Sequence, residues 1–290
     1  MSRKIDQLPE PTVRHSMKVV VASPSRSGTL GLYRAMQILG YKAYHLFECV
    51  IVRGKDHMEV CEEAVIAQNN RFSGMKRYDR ADFDKWFADY NCLVEIQSFL
   101  GPAIIEAYVQ DPDVKFILVE REPTKWVASL NNTAGGLMKA LHGFPLVFLK
   151  YFDSILYRFV TLNQTCLWSF SDRNNPTDPD FEVALRRNYA EYINMVKRTV
   201  PADRMLHIHL ENGLGWEEIC PFLGVPVPEE DYPDRNQPAR FQALAGEFLK
   251  PHVTTAMTRL TFIAVPSLGV MGWAALKYGP SLVNAIGRKY

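Results

Sequence analysis

Chemistry concentrates in the segment Val19–Leu32 (VVVASPSRSGTLGL), where an apolar run enters a Pro/Ser/Gly turn and then a helix-compatible stretch. The first N–H groups of a helix lack internal partners and lie at the positive end of its dipole, a setting suited to phosphate or sulfate. Gly28 lets the backbone approach an anion closely, and Ser25, Ser27 and Thr29 add hydroxyl donors. Arg26 adds a fixed charge and a fork of donors. The loop is not GxxxxGK[ST], because it is shorter and lacks the Lys–Ser/Thr pair, and it is not GxGxxG. Read alone, it could equally be a Ser/Gly-rich connecting turn.

A second motif tips that balance. After the apolar run VKFILVE comes Arg121-Glu-Pro-Thr-Lys-Trp-Val-Ala-Ser129. Arg121 stands at the carboxyl end of an expected strand, where open α/β sheets bind ligands. Ser129, eight residues on, falls about two turns into the next helix. A strand-end Arg and a helical Ser can hold one further phosphate. The competing reading, in which Arg121 pairs with Glu120 or Glu122 at the surface, weakens once two anion-binding elements occur in this order.

These loops need a scaffold, and the hydropathy pattern supplies one. Met17–Ala22, Cys92–Ile96, Val114–Val119 and Met205–Leu210 read as strands, with Tyr41–Phe47 as a further candidate. Helices are expected over Gly31–Leu39, Glu59–Gln68, Asp82–Asp89, Gly101–Gln110, Thr124–Asn131 and Phe181–Thr199. Such alternation predicts an α/β three-layer sandwich with a mostly parallel central sheet between helices. One domain is expected over residues 1–250, with a helical, aromatic-rich insert at about 134–175 that either packs in the core or walls an acceptor pocket. Residues 251–290 form an apolar tail. Its stretch 260–276 carries no charged residue and is borderline for a membrane span, so it either enters a membrane or folds onto the domain.

Bulk composition narrows the function. With 33 basic and 32 acidic residues, net charge +1, no nucleic-acid partner is expected. The five cysteines (Cys49, Cys61, Cys92, Cys166, Cys220) are widely spaced, which predicts buried reduced thiols, no zinc site and no metal. The polar N-terminus lacks an apolar signal core, so a cytoplasmic location is expected, membrane-associated if the tail is an anchor.

The pattern P-S-R-S-G-T-L (Pro24–Leu30) together with R-E-P-T-K-W-V-A-S (Arg121–Ser129) resembles the two donor-binding motifs of P-loop-fold sulfotransferases. More narrowly it resembles a sulfotransferase-like branch common in fungi and invertebrates. Tyr44-His45-Leu-Phe-Glu48, Leu93-Val94-Glu95 and the stretch from Gly215-Trp216 to Pro221, Pro228, Tyr232 and Asn236 extend the likeness over roughly residues 17–245. The resemblance implies 3′-phosphoadenosine 5′-phosphosulfate (PAPS) as donor and adenosine 3′,5′-bisphosphate (PAP) as product. It implies that Ser25, Arg26, Ser27, Gly28 and Thr29 hold the 5′-phosphosulfate, and that Arg121 and Ser129 hold the 3′-phosphate.

The chain departs from better-known members in three ways. Arg26 stands where many have Lys; it can stabilise the departing phosphate but not hand it a proton. The late glycine-rich 3′-phosphate loop is absent, and Arg235 and Arg240 are either substitutes or solvated surface residues. No His lies about twenty residues before Arg121. Glu95, closing a buried strand, is the first candidate for general base, with a pKa expected to be raised by desolvation. His45 is the second, against a structural role for it. His207 and His209 share one strand face and are expected to be structural. The function expected is transfer of a sulfuryl group from PAPS to a hydroxyl of a lipophilic small molecule. The alternatives are a nucleotide kinase or NTPase, or a non-catalytic nucleotide-binding or membrane-attached protein on the same fold.

Overall fold

Side chains of an extended chain alternate between faces, so a strand covered on both sides must be apolar throughout, and Val19–Val21 is. In the computed structural model, which describes residues 2–233 and 238–286, that strand is the centre of a five-stranded sheet. The strands are β1 (Val19–Val21), β2 (Ala43–Tyr44), β3 (Cys92–Val94), β4 (Lys115–Glu120) and β5 (Met205–His209). All neighbours pair in parallel, in the order β2-β3-β1-β4-β5. The helices of seven or more residues are α1 (Thr29–Ile38), α2 (Lys55–Asn69), α3 (Arg80–Trp86), α4 (Pro102–Val109), α5 (Pro123–Leu130), α6 (Gly136–His142), α7 (Ser154–Ser171), α8 (Phe181–Thr199), α9 (Trp216–Leu223) and α10 (Pro238–Ile286).

The alternation along the strands sorts the core into two layers. Val20, Leu93, Phe116 and Leu118 join one apolar cluster, completed by Val65, Ile105, Leu162 and Ile193 of α2, α4, α7 and α8. Val19, Val21, Cys92, Val94, Ile117 and Val119 point the other way, onto Leu32 and Met36 of α1 and Ile219 and Leu223 of α9. The expected three-layer α/β fold is therefore present. Edge strand β5 needs cover on one side only, and only Ile208 is buried in it.

Local chemistry sets the element that carries the second motif. Glu122 accepts hydrogen bonds from the Thr124 and Lys125 N–H groups at 2.8 Å each, and Pro123 takes the first helical position, where its missing N–H costs nothing. The sequence Arg-Glu-Pro-Thr-Lys is thus a strand end, an N-cap and a helix start in five residues.

The aromatic insert divides between the two readings of it. Phe159 and Phe170 are buried, whereas Phe144, Phe148 and Tyr151 are exposed. The C-terminal segment is one helix, α10, running through residue 250 without interruption. Phe248, Leu249, Val253, Ala256 and Leu260 pack on the core. From Thr261 to Lys277 the described side chains are almost all exposed, so this stretch does not fold back on the domain. Residues 241–274 are long and apolar enough to cross a membrane.

Ser23, fully buried, joins the two motif-bearing strands: its Oγ accepts the Val119 N–H at 2.8 Å. Ser23→Ala leaves that N–H without an acceptor in a dry interior and should cost about 1–3 kcal/mol. The denaturant midpoint measures it, and a loss well below that range would mean that another acceptor takes over.

Candidate functional site

An all-parallel sheet puts every strand's carboxyl end on one edge, and that edge collects the candidate residues. Ser25–Gly28 follow β1, His45 follows β2, Glu95 follows β3 and Arg121 follows β4. The strand order changes direction around β1, which is where a crevice opens in folds of this kind.

The first loop is held from behind by the second motif. The Trp126 indole Nε1–H donates to the Ser25 carbonyl at 2.7 Å, and Arg121 Nη1 donates to the Arg26 carbonyl at 2.9 Å. Arg26 Nε lies 3.4 Å from Ser129 Oγ. Arg26 and Arg121 are close enough to raise each other's electrostatic cost: burial first, and the Arg121 charge after it, lower the Arg26 pKa, while Glu95 opposes them. The two motifs therefore meet in one cleft. Arg121 spends one of its five N–H groups on the loop. The residue is fixed by Tyr189, whose hydroxyl accepts the Arg121 N–H and donates to its carbonyl, both at 2.7 Å. Trp126 stacks on the same tyrosine, ring centroids 4.4 Å apart.

Backbone geometry opens the loop to an anion. Arg26 has φ 70° and Gly28 φ 79°, departures on either side of Ser27 that turn the chain tightly into α1. Gly28 is the N-cap, and no side chain caps the helix. A Cβ there would lie 3.3 Å from both Leu210 Cδ1 and Leu214 Cδ2, so packing as well as φ favours glycine. Ser27 Oγ is buried without a hydrogen-bond partner of good geometry, although it influences the nearby Tyr189 phenol. A buried hydroxyl in that condition, beside an uncapped helix end, suits an incoming oxyanion.

Glu95 shares the left-handed conformation, φ 70°, which costs a non-glycine residue about 1–3 kcal/mol and is typically kept for function. Its carboxylate is buried. His45 Nε2 lies 2.8 Å from Oε2, and Thr29 Oγ1 donates to Oε1 at 3.2 Å. His45 Nδ1 accepts the Phe47 N–H at 2.9 Å, which puts the ring proton on Nε2, facing Glu95. Both ring nitrogens are therefore engaged, and His45 orients the carboxylate. The raised pKa expected for Glu95 is corrected here. Burial does push its carboxyl up, but the electropositive His45 Nε2–H, hydrogen bonds from His45 and Ser25, and the Arg26 charge together hold it below its ordinary value. Desolvation was legible in the sequence; the donors assembled from β1, α1 and the β2 end were not.

These groups form the polar end of a cavity of about 420 Å³ whose remaining wall is mostly apolar, including Leu46, Phe99, Phe159, Leu167 and Phe170. The start of α10 closes one side with Phe241, Leu244 and Phe248, and the Arg26 guanidinium lies 5.4 Å from the centre of the Phe241 ring. Arg235 lies outside the described residues, as does the side chain of Arg240.

Several contributors went unassigned in the sequence. Trp126 sits inside the second motif, yet only its indole contact shows why; Tyr189 is one of several aromatic residues in a long helix and carried no local signal. His207 and His209, expected to be structural, converge with Glu120, one ligand atom of each lying within 4.8 Å of the others. Glu120 already contacts Lys197 Nζ at 2.5 Å and His207 Nε2 at 2.8 Å.

The lowered Glu95 pKa fixes the sign of a pH effect. A carboxyl depressed in the folded state adds stability that is complete above its unfolded value and is lost as pH falls through the folded value. In His45→Ala the two largest contributions opposing burial are removed, so the Glu95 pKa rises and the loss of stability on acidification begins at higher pH. Urea midpoints of both proteins from about pH 3 to 8 read the difference; parallel curves would sink the assignment.

Comparison with known proteins agrees with this geometry. A family model described as a sulfotransferase domain matches residues 18–241. The chain is 31% identical over 220 residues to Ava biosynthesis cluster protein M of Aspergillus versicolor, covering 75% of this chain and 80% of that protein. Among solved structures, a sulfotransferase from Alicyclobacillus acidocaldarius aligns over 84% of this chain and 95% of its own, at 13% identity and a TM-score of 0.40.

Proposed function

The chain belongs to the sulfotransferase family, and from that premise we propose that it transfers the sulfuryl group of PAPS to a hydroxyl of a lipophilic small molecule. One observation carries the reading: the Arg26 loop and the Arg121 motif converge at the polar end of an apolar cavity that also holds Glu95.

PAPS, when bound, supplies a sulfuryl group already attached to a phosphate leaving group. The uncapped start of α1, with Ser25, Ser27 and Thr29, would hold the 5′-phosphosulfate, and Arg121 with Ser129 the 3′-phosphate. Two phosphates on one nucleotide suit two arginines that meet at one loop, the Arg26 guanidinium lining the cavity and the Arg121 guanidinium bonded to the Arg26 carbonyl. Arg26 keeps its proton despite burial, because a guanidinium starts far above the physiological range. It therefore acts as a fixed charge beside the bond that breaks, where pre-organised charge lowers a barrier most. The acceptor proton goes to Glu95. A carboxylate held ionised by His45 is a weak base, but it suffices once the new O–S bond has made the hydroxyl strongly acidic. His45 is a positioning residue in this scheme. The apolar wall supports a lipophilic acceptor, and the likeness to a protein named for a biosynthesis cluster supports a biosynthetic one. All five cysteines are free and buried, which supports the cytoplasmic reading. The exposed half of α10 supports attachment of the domain to a membrane.

Thermal unfolding tests the donor directly. PAP at about 100 times its dissociation constant should add about 2.7 kcal/mol without magnesium, and ATP or GTP should add little. A preference for ATP or GTP with magnesium would replace this reading with a nucleotide kinase or NTPase, and no response to any nucleotide would leave a non-catalytic fold. Arg121→Ala should abolish the PAP shift, and a shift that survives removes Arg121 from the donor site. Glu95→Gln should keep the PAP shift but lose at least about 100-fold in turnover, the usual share of a general base; unchanged turnover removes Glu95 from that role.

A further inference from the structure

The helix α10 changes character at one point. Arg259 Nη1 donates to the Phe152 carbonyl at 2.9 Å, and among the described residues Leu260 is the last side chain packed on the core. From Thr261 onward Phe262, Ile263, Val265, Leu268, Val270, Met271, Trp273 and Leu276 face outward. The chain segment beside this exit is equally unusual. Phe144, Phe148 and Tyr151 are 86%, 60% and 67% exposed, although the insert's other large aromatic residues are buried or half-buried. The Phe144 and Phe148 rings touch each other, 6.4 Å between centroids, and Lys150 Nζ lies 5.3 Å from the centre of the Tyr151 ring. From Pro123 to Phe152 the chain has three lysines (Lys125, Lys139, Lys150) and no Asp or Glu, in a protein whose total charges nearly balance. Exposed rings, one with a lysine against it, at the foot of an exposed apolar helix have the composition of an interfacial contact with anionic lipid.

We propose that Phe144, Phe148 and Tyr151 form a second membrane contact, seated at the headgroup boundary of the anionic phospholipid bilayer that the distal half of α10 enters. The inference rests on the membrane reading of α10 and goes beyond it: the domain is set down on the bilayer at a fixed face, with Lys139 and Lys150 against phosphate groups, instead of swinging from a lone anchor. A helix held to the Phe152 carbonyl and the core up to Leu260 leaves little slack between this face and the first lipid-exposed residue.

Single exposed cysteines make the test clean, because the native thiols are all buried. Full-length protein carrying Phe148→Cys, Val270→Cys or Val227→Cys, each labelled with an environment-sensitive fluorophore, is reconstituted into nanodiscs of phosphatidylcholine with about a third phosphatidylserine. Val227 is an exposed position after α9 and serves as the aqueous reference. A spin-labelled lipid should quench the labels at 148 and 270 at least threefold more than the label at 227. Quenching at 270 with a water-like label at 148 overturns the second contact and leaves the anchor standing. Water-like labels at both positions overturn the anchor and the contact together. A label at 148 that is already shielded in detergent, with a dimeric mass, shows that a second copy covers the face and also overturns the proposal. Lys139→Glu with Lys150→Glu should lower quenching at 148 by at least twofold without changing that at 270, and an unchanged signal removes the lysines from the contact.

Discussion

The site depends on how the carbonyls of Ser25 and Arg26 are satisfied from behind the Ser25–Gly28 turn, while the Ser27 N–H bonds the Pro24 carbonyl within it. Trp126 and Arg121 do this, taking the carbonyls of Ser25 and Arg26. Unmet, either carbonyl would cost about as much as a lost buried hydrogen bond. The second motif is thus the support of the first. It is in turn held by Tyr189, which grips both backbone groups of Arg121 and stacks on Trp126.

A second consequence of the same crowding is electrostatic. Arg26, Glu95 and His45 line a cavity whose other walls are mostly apolar. Burial alone would neutralise the carboxyl, but the charge and donors around it keep it ionised. Both Arg26 and Glu95 adopt a left-handed backbone, so the strain sits where the charges sit. The start of α10 closes the cavity, and one helix therefore contributes to the pocket wall and, further along, to the exposed apolar face.

Much of this was legible in the chain. Strands buried on both faces must be uniformly apolar, and VKFILV and MKVVVA could hardly be anything else. Strand–turn–helix order then fixed where Arg26, Glu95 and Arg121 would emerge. The pKa of Glu95 was not legible, because its sign is the difference between a burial cost and four contacts drawn from separate segments. The insert could not be resolved either, since aromatic residues that line a pocket, fill a core or face outward have the same hydropathy.

Periodicity, turn chemistry and two short motifs decided by themselves that this would be a parallel α/β sandwich with its two motif loops along one edge, because each of those signals is local. Tertiary structure alone decided that Trp126 and Tyr189 would hold the loop, that His45 would turn Nε2 to Glu95 while Nδ1 takes the Phe47 N–H, and that α10 would leave the domain beside three exposed rings. Each of these turns on side chains brought together across tens of residues, and a pairing of that range is selected by how the layers pack, which no local stretch of sequence specifies.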